Sequence, residues 1–124
     1  MSTQVIMLWY VALLLLQMLH ILEEIALEAY KVAGSLKKYL LAASVIVTLN
    51  YVPLFMMVFD LRLGYVLACA GALLGIGNGI IHLVAYLRTR RVRGTVGAGV
   101  FTGIPLGLVG GTVLYSLIRF LLSA

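Results

Sequence analysis

Four apolar segments, each 21 to 25 residues long, set the strongest constraint on the fold of this chain. A helix needs roughly 20 apolar residues to cross the ~30 Å hydrocarbon layer of a bilayer. Each segment is therefore long enough for one crossing, and the sequence lacks the short alternating pattern of membrane β-strands. These features predict an all-α, four-helix transmembrane bundle that forms one integral membrane domain over residues 1–124. The predicted helices cover residues 5–27, 39–59, 63–87 and 100–122.

The composition agrees with a chain whose solvent is lipid. Hydrophobic residues make up 64% of the sequence and charged residues only 10%, whereas about 25% of the residues in an average soluble domain are charged. A soluble core cannot hide this much apolar surface, so the composition excludes an ordinary soluble domain. Pro53 and Pro105 fall inside predicted helices, which membrane helices tolerate when neighbouring groups bond the freed carbonyls.

The basic residues are distributed unevenly between the predicted loops. Seven of the nine lie in residues 28–38 and 88–97, and only Arg62 and Arg119 lie at the opposite end. The positive-inside rule predicts that the two basic loops are cytoplasmic and that both termini lie on the non-cytoplasmic side of a plasma or inner membrane. At a membrane edge such a cluster sets topology and meets anionic lipid headgroups, so we predict the bilayer as the partner and no nucleic acid. The seven are Lys31, Lys37, Lys38, Arg88, Arg90, Arg91 and Arg93.

Small residues indicate where the helices touch. Glycine recurs every fourth position in the third and fourth helices, and such rows let two backbones approach closely in lipid. The two rows predict that these faces of the helices make contacts. The row in the third helix is Gly71, Gly75 and Gly79, and the row in the fourth is Gly103, Gly107 and Gly111.

Ionisable residues interrupt the end of the first apolar segment, in LHILEEI at residues 19–25. At about 100° per residue, Gln17, His20, Glu23 and Glu24 fall within one arc of about 120° on the helix. Charged groups at such a depth are costly unless they are paired, and they indicate a functional site by default. The alternative is that Glu23 and Glu24 only end the helix at the interface, neutralised by the basic loops.

The third helix carries a second polar pair, Asn78 and His82, one turn apart on the face of its glycine row. At about 1.5 Å per residue, His20 matches Asn78 in depth and Glu24 matches His82. The sequence therefore predicts one polar layer in the cytoplasmic third of the membrane. A purely structural hydrogen bond between helices is the alternative for Asn78.

These residues resemble a known family. HILEE at residues 20–24 and NGIIH at residues 78–82 are similar to two motifs of the HXXEE family of small multi-span membrane proteins. The segment RRVRGTVGAGVFTGIPLG resembles a third block of this family. Arg90 or Arg91 takes the arginine position of the block, and Gly94, Thr95 and Pro105 follow. Arg93 replaces the usual proline of this block, and Val92 the aromatic residue. The resemblance covers about residues 8–108 and implies a shared polar constellation and an enzymatic activity, without specifying the reaction.

Two histidines and one carboxylate suit Zn²⁺ or Fe²⁺ with open coordination positions. The first hypothesis is therefore a membrane-embedded enzyme with His20, Glu24 and His82 as metal ligands, although Glu23 is an equivalent choice for the carboxylate. The second glutamate would be the general base, and Asn78 or Arg91 would stabilise an oxyanion. A glutamate–histidine pair without metal would activate water in a similar way. The substrate predicted for such a site is amphipathic or lipid-like.

Two other functions suit the same residues. One is a proton or ion pathway, which in a four-helix chain without an inverted repeat would require a homo-oligomer. The other is a structural or accessory subunit that binds a pigment or haem, with His20 and His82 as axial ligands from facing helices.

Overall fold

The computed structural model describes residues 2–123, and over that range the chain forms four long α-helices and no strand. Each helix is long and apolar enough to cross a membrane, by length and composition. The all-α, four-helix class is confirmed, and every predicted helix boundary lies within three residues of the observed one. The predicted domain also includes Met1 and Ala124, which lie outside the described residues. The helices are α1 (Thr3–Ala26), α2 (Leu36–Val58), α3 (Arg62–Thr89) and α4 (Val100–Ser123).

The helix ends follow from local capping. The hydroxyl of Ser35 accepts a hydrogen bond from the Lys38 N–H at 3.2 Å and begins α2, since a serine side chain satisfies a backbone donor that the first turn leaves free. Just past the end of α1, Glu28 adopts a left-handed conformation with φ 63°, and Arg90 does the same after α3 with φ 52°. A 3₁₀ turn at Val96–Gly99 leads directly into α4.

The four helices pack in a ring. The contact between α3 and α4 is the most extensive, α1 packs on α4 and α2, and α2 packs on α3. Consequently α1 and α3 lie across the bundle from each other and touch only locally. In the half of the bundle away from the basic loops, the interior is mainly apolar and is centred on Tyr10, Met57, Tyr65, Leu106 and Leu117, with Asn50 and Ser116 as its buried polar residues.

Glycine rows bring α3 and α4 together, with one difference from the predicted pattern. A Cβ atom added at Gly79 would lie 2.6 Å from the Gly103 carbonyl oxygen and 3.1 Å from the Gly107 Cα. Further along α4, Gly110 faces the Ala72 carbonyl oxygen, whereas a Cβ at Gly111 meets nothing within 4 Å. The prediction for Gly111 was wrong because a step of eight residues drifts about 80° around a helix, while a step of seven drifts only about 20°.

The two basic loops lie at the same end of the bundle, as predicted, and contact each other. Glu28 bonds Lys31 at 2.7 Å and Arg93 at 3.2 Å, and the Gly94 N–H donates to the Leu27 carbonyl at 2.7 Å. The hydrogen bond from Arg93, followed by that from Lys31, lowers the pKa of the Glu28 carboxyl to about 2, and Glu28 in turn raises the pKa of Arg93. The side of the membrane on which these loops lie stays a prediction.

Candidate metal centre

Three predicted ligands converge between α1 and α3. His20 and Glu24 lie one turn apart on α1, and His82 approaches from α3 across the bundle. The two histidine Nε2 atoms are 3.2 Å apart. The Glu24 carboxylate oxygens lie 3.8 Å from His20 Nε2 and 3.4 Å from His82 Nε2. Both histidines are buried and Glu24 is partly buried, so the three form one group that could hold a metal ion.

Glycine at the start of α4 makes room for the two imidazole rings. A Cβ at Gly99 would lie 3.0 Å from both His20 Nδ1 and His82 Cε1, and a Cβ at Gly103 would lie 3.5 Å from His82 Cβ. The rings therefore meet edge to face, with centroids 4.6 Å apart and planes at 76°. Any side chain at position 99 would separate them.

The outer nitrogen of His20 is held by a threonine and a glutamate. His20 Nδ1 lies 3.0 Å from Thr102 Oγ1, and the same hydroxyl makes a short hydrogen bond to Glu23 Oε2. A carboxylate only accepts hydrogen bonds, so the threonine hydroxyl donates its hydrogen to Glu23 and accepts from His20. The Nδ1 atom of His20 therefore carries the hydrogen, and its Nε2 is a lone-pair atom when the ring is neutral.

His82 has the same tautomer for a different reason. Its Nδ1 makes a short hydrogen bond to the carbonyl oxygen of Val96, in the 3₁₀ turn before α4. A carbonyl only accepts, so the hydrogen again lies on Nδ1 and the lone pair on Nε2. Contacts of this kind, from the second ring nitrogen to an acceptor, fix the orientation of metal-ligating histidines.

Two imidazole lone pairs and a carboxylate thus face one another with no hydrogen between them in the neutral state. Such an arrangement requires a cation, either a proton or a metal. The spacing suits either one: 3.2 Å is within hydrogen-bond range for a proton shared by the two rings, and two nitrogens at about 2.0–2.1 Å from a tetrahedral Zn²⁺ lie about 3.3 Å apart. The observed 3.2 Å separation of the Nε2 atoms agrees with that value.

The two adjacent glutamates have separate tasks. Glu23 points to the start of α4, where its carboxylate accepts from the backbone N–H groups of Phe101 at 3.1 Å and Thr102 at 2.8 Å. A carboxylate there satisfies free donors and matches the positive end of the helix dipole. Glu24 instead faces the histidines and accepts from the Tyr39 hydroxyl at 2.6 Å. Neither forms the ion pair with a loop lysine that a simple interface role predicts, whereas Glu28 does.

A cavity of about 210 Å³ adjoins Glu24 between α1, α2 and α3. Its polar lining consists of Gln17, Glu24, Tyr39 and Asn78. Gln17 is only 8% exposed, and within residues 2–123 its amide makes no hydrogen bond. All buried side-chain polar atoms that lack solvent contact have partners, so the free amide atoms of Gln17 open into this cavity. Asn78 therefore lies beside the predicted ligands, in the wall of a polar chamber.

Arg91 is the predicted site residue that the structure keeps apart from this group. It is exposed in the loop before the 3₁₀ turn at Val96–Gly99, and in the described part of the chain its side chain makes no bond to the cluster. The threonine position of the third block was assigned to Thr95, which instead caps the 3₁₀ turn through the Gly97 N–H. Thr102 makes the contact to the site. The sequence feature that could have identified Thr102 is its position one turn before Pro105, near the predicted start of the fourth helix.

Comparison of the chain with protein-family models, with curated proteins and with solved structures finds no match. The resemblance to the HXXEE family accordingly stays a prediction, and the functional argument depends on the geometry of the site.

Proposed function

We propose that this chain is a membrane-embedded, metal-dependent enzyme that acts on a lipid-like substrate. His20 Nε2, His82 Nε2 and the Glu24 carboxylate are the ligands of one divalent cation, Zn²⁺ or Fe²⁺. The observation that carries the proposal is the convergence of these three groups with both histidine hydrogens turned outward. It agrees with the enzymatic activity that the resemblance to the HXXEE family implies.

The contacts around the ligands support a preorganised site. Thr102 and Glu23 hold the ring of His20, the Val96 carbonyl holds that of His82, and Tyr39 bonds Glu24. Partners of this kind typically change metal affinity by about 10–100-fold when they are removed. Three protein ligands leave a fourth position for water or substrate, as catalytic zinc sites do.

Hydrolysis of an acyl ester or amide is the reaction that the site suits best. A bound cation would supply Lewis acidity at the substrate carbonyl. Asn78 and Gln17 have amide groups that can hold the carbonyl or its neighbouring polar atoms in the cavity beside Glu24. In this reaction water adds to the carbonyl carbon, the bond to the leaving group breaks, and the leaving group takes up a proton. In this proposal Glu23 positions Thr102 and the start of α4, since its carboxylate accepts three hydrogen bonds there.

Bis-histidine haem ligation fits less well. Axial nitrogens on opposite sides of an iron lie about 4 Å apart, from metal–nitrogen bonds of about 2.0 Å, and the macrocycle must lie between the two rings. Here the Nε2 atoms are 3.2 Å apart, and Glu24 reaches both from a third side. The geometry favours adjacent ligands on one small ion.

A proton pathway through one chain also fits less well. Hydrogen bonds connect Glu23, Thr102 and His20, and Glu24 continues to Tyr39, but all of these groups lie in the half near the basic loops. Toward the other side the described interior is mainly the apolar core, with Asn50 and Ser116 as its buried polar residues. Among the described residues Tyr39 makes no further side-chain hydrogen bond toward Asn50, so the chain of bonds from Glu24 ends at Tyr39.

Metal analysis of purified protein tests the proposal. Wild type, reconstituted with Zn²⁺ or Fe²⁺ and then desalted, is expected to retain one equivalent, which His20→Ala, His82→Ala and Glu24→Gln lose. Glu28→Gln is the matched control, because it removes a loop carboxylate outside the cluster, and it should retain the metal. Wild type without bound metal, or retention by Glu24→Gln and both histidine variants, would contradict the proposal. Proton flux into liposomes that Glu24→Gln abolishes would instead favour the relay.

A further inference from the structure

Helix α2 is the least buried element of the bundle. Its buried residues are Asn50, Pro53 and Met57, all in the half next to the turn that joins it to α3. A Cβ at Gly64 would lie 2.7 Å from the Met57 N atom, so α2 and α3 pack backbone to backbone there. Nearer the basic loops none of the described residues of α2 is fully buried. The two helices therefore separate toward the metal centre and leave a groove between them.

This groove has a polar end and an apolar end. The polar end is the 210 Å³ cavity beside Glu24. The apolar end is a second cavity of about 270 Å³, and its walls include Val52, Leu67 and Leu74. Ile46 lines both cavities and forms the boundary between them. A largely apolar groove, whose lining also includes Asn50, thus continues from Glu24 along the outer side of α2 and α3.

The length of the groove matches one hydrocarbon chain in one leaflet. From Tyr39 to Pro53 it follows α2 for 14 residues, about 21 Å at 1.5 Å per residue. Half of the ~30 Å hydrocarbon layer is about 15 Å, so the groove holds a headgroup and most of a chain. A second copy of the protein fits worse, because a helix about 10 Å wide cannot enter cavities of this size.

The polar end indicates which headgroup would fit. The amides of Gln17 and Asn78 make no hydrogen bond within residues 2–123, and Gln17 is more than nine-tenths buried. An amide both donates and accepts, so it suits a carbonyl next to a hydroxyl or N–H group. The described lining of both cavities contains no lysine or arginine to pair with an anionic group.

We propose that the groove between α2 and α3 binds a single-chain acyl amide or ester, with its carbonyl at Gln17 and Asn78 and its chain past Ile46. This inference rests on the proposed function, because it names the substrate class of that same site. The chain in the groove anchors the substrate, and the polar end presents its carbonyl beside the metal ligands.

Photolabelling in phosphatidylcholine nanodiscs tests the groove. The probe is a long-chain acyl amide with a diazirine midway along its chain. It is expected to label Leu67 and Leu74 preferentially, and unlabelled acyl amide should compete where an alkane of equal length does not. Ile46→Trp should lower this labelling about tenfold, equivalent to the lost contacts of roughly two methylene groups. Val45→Trp is the matched control, since Val45 is the exposed neighbour of Ile46 and lines neither cavity.

Ala70→Trp on the opposite wall repeats the test in case Ile46→Trp unfolds the protein. Three results would each overturn the inference. One is labelling spread evenly over the lipid-facing residues of all four helices, and another is an equal effect of Ile46→Trp and Val45→Trp. The third is a predominance of cross-links between two copies of the protein through α2. Metal content is measured on the same samples. If the wild type binds metal but the probe does not label the groove, only this inference is refuted. If the probe labels the groove but the wild type binds no metal, only the proposed function is refuted.

Discussion

Replacing Thr102 by valine removes one hydroxyl from the candidate site while keeping the shape of the side chain. In the wild type this hydroxyl accepts from His20 Nδ1 and donates to Glu23. After the change, the His20 N–H has no acceptor in a site where the histidine is only 1% exposed. Glu23 still accepts from the two backbone N–H groups at the start of α4. The perturbation therefore acts mainly on the orientation and tautomer of His20.

The expected magnitude follows from two independent considerations. Leaving a buried N–H unsatisfied costs about 1–3 kcal/mol of folding free energy. Removing a partner of a metal-ligating histidine lowers metal affinity by about 10–100-fold, which is about 1.4–2.7 kcal/mol. We therefore expect Thr102→Val to bind Zn²⁺ at least tenfold more weakly and to lose stability by a comparable free energy. Thr102→Ser retains the hydroxyl and is expected to restore most of the affinity.

Competition with a chromophoric chelator in detergent measures the affinity, and thermal unfolding of the metal-free protein measures the stability. Thr112→Val on the same helix is the control, because its exposed hydroxyl bonds only the Leu108 carbonyl of its own helix. If Thr102→Val bound Zn²⁺ as tightly as Thr102→Ser, the assignment of hydrogens to the outer nitrogen of His20 would be refuted, and with it the argument for two convergent lone pairs.

Three further changes test other parts of the structure. Gly99→Ala places a methyl group against both histidine rings; we expect weaker metal binding with every ligand present and a stability loss of about 1–3 kcal/mol, and unchanged Zn²⁺ affinity would contradict it. Gly79→Ala meets backbone of α4 and should destabilise the bundle, whereas Gly77→Ala, with open space, should be neutral or stabilising; equal melting temperatures would be inconsistent with the α3–α4 contact. Glu28 has a lowered pKa of about 2, so its ion pairs with Lys31 and Arg93 are fully formed above pH 4.5 and are lost as the pH falls through about 2. Glu28→Gln should break these ion pairs at neutral pH and speed amide hydrogen exchange in both basic loops. Unchanged exchange would show that the ion pairs do not hold the loops together.

The helices and the convergence of His20, Glu24 and His82 were predictable from the sequence because both depend on local periodicity. Apolar length fixes each crossing, and the about 100° step of a helix places His20 and Glu24 on one side of α1. The same step put Asn78 and His82 on the inner side of α3. Matching their depths paired Glu24 with His82, which lie 3.4 Å apart in the structure, but it also paired His20 with Asn78, whereas His20 Nε2 lies 3.2 Å from His82 Nε2.

The roles of the two glutamates could not be predicted in this way. Glu23 and Glu24 point about 100° apart on α1, so each faces a different neighbouring helix. Which neighbour lies on which side depends on the order of the helices in the ring, and the sequence of α1 contains no information on that order. The contacts of Tyr39 and Thr102 escaped prediction for the same reason, since they come from the two helices that flank α1.

The glycine rows and the candidate site form one arrangement. His20 and His82 lie 62 residues apart in the chain and on helices that barely touch elsewhere, so α4 must bring them together. It does so through Gly103 and through Gly99 in the 3₁₀ turn just before α4, which both lie against the rings, and through the close contact of Gly103 with Gly79. The proposed ligand set, drawn from two helices and held by a third, exists only in the packed bundle, so the proposal predicts that metal binding and folding are coupled. The small residues serve the geometry of the site as directly as its polar side chains do, because they let the two histidine Nε2 atoms approach to 3.2 Å.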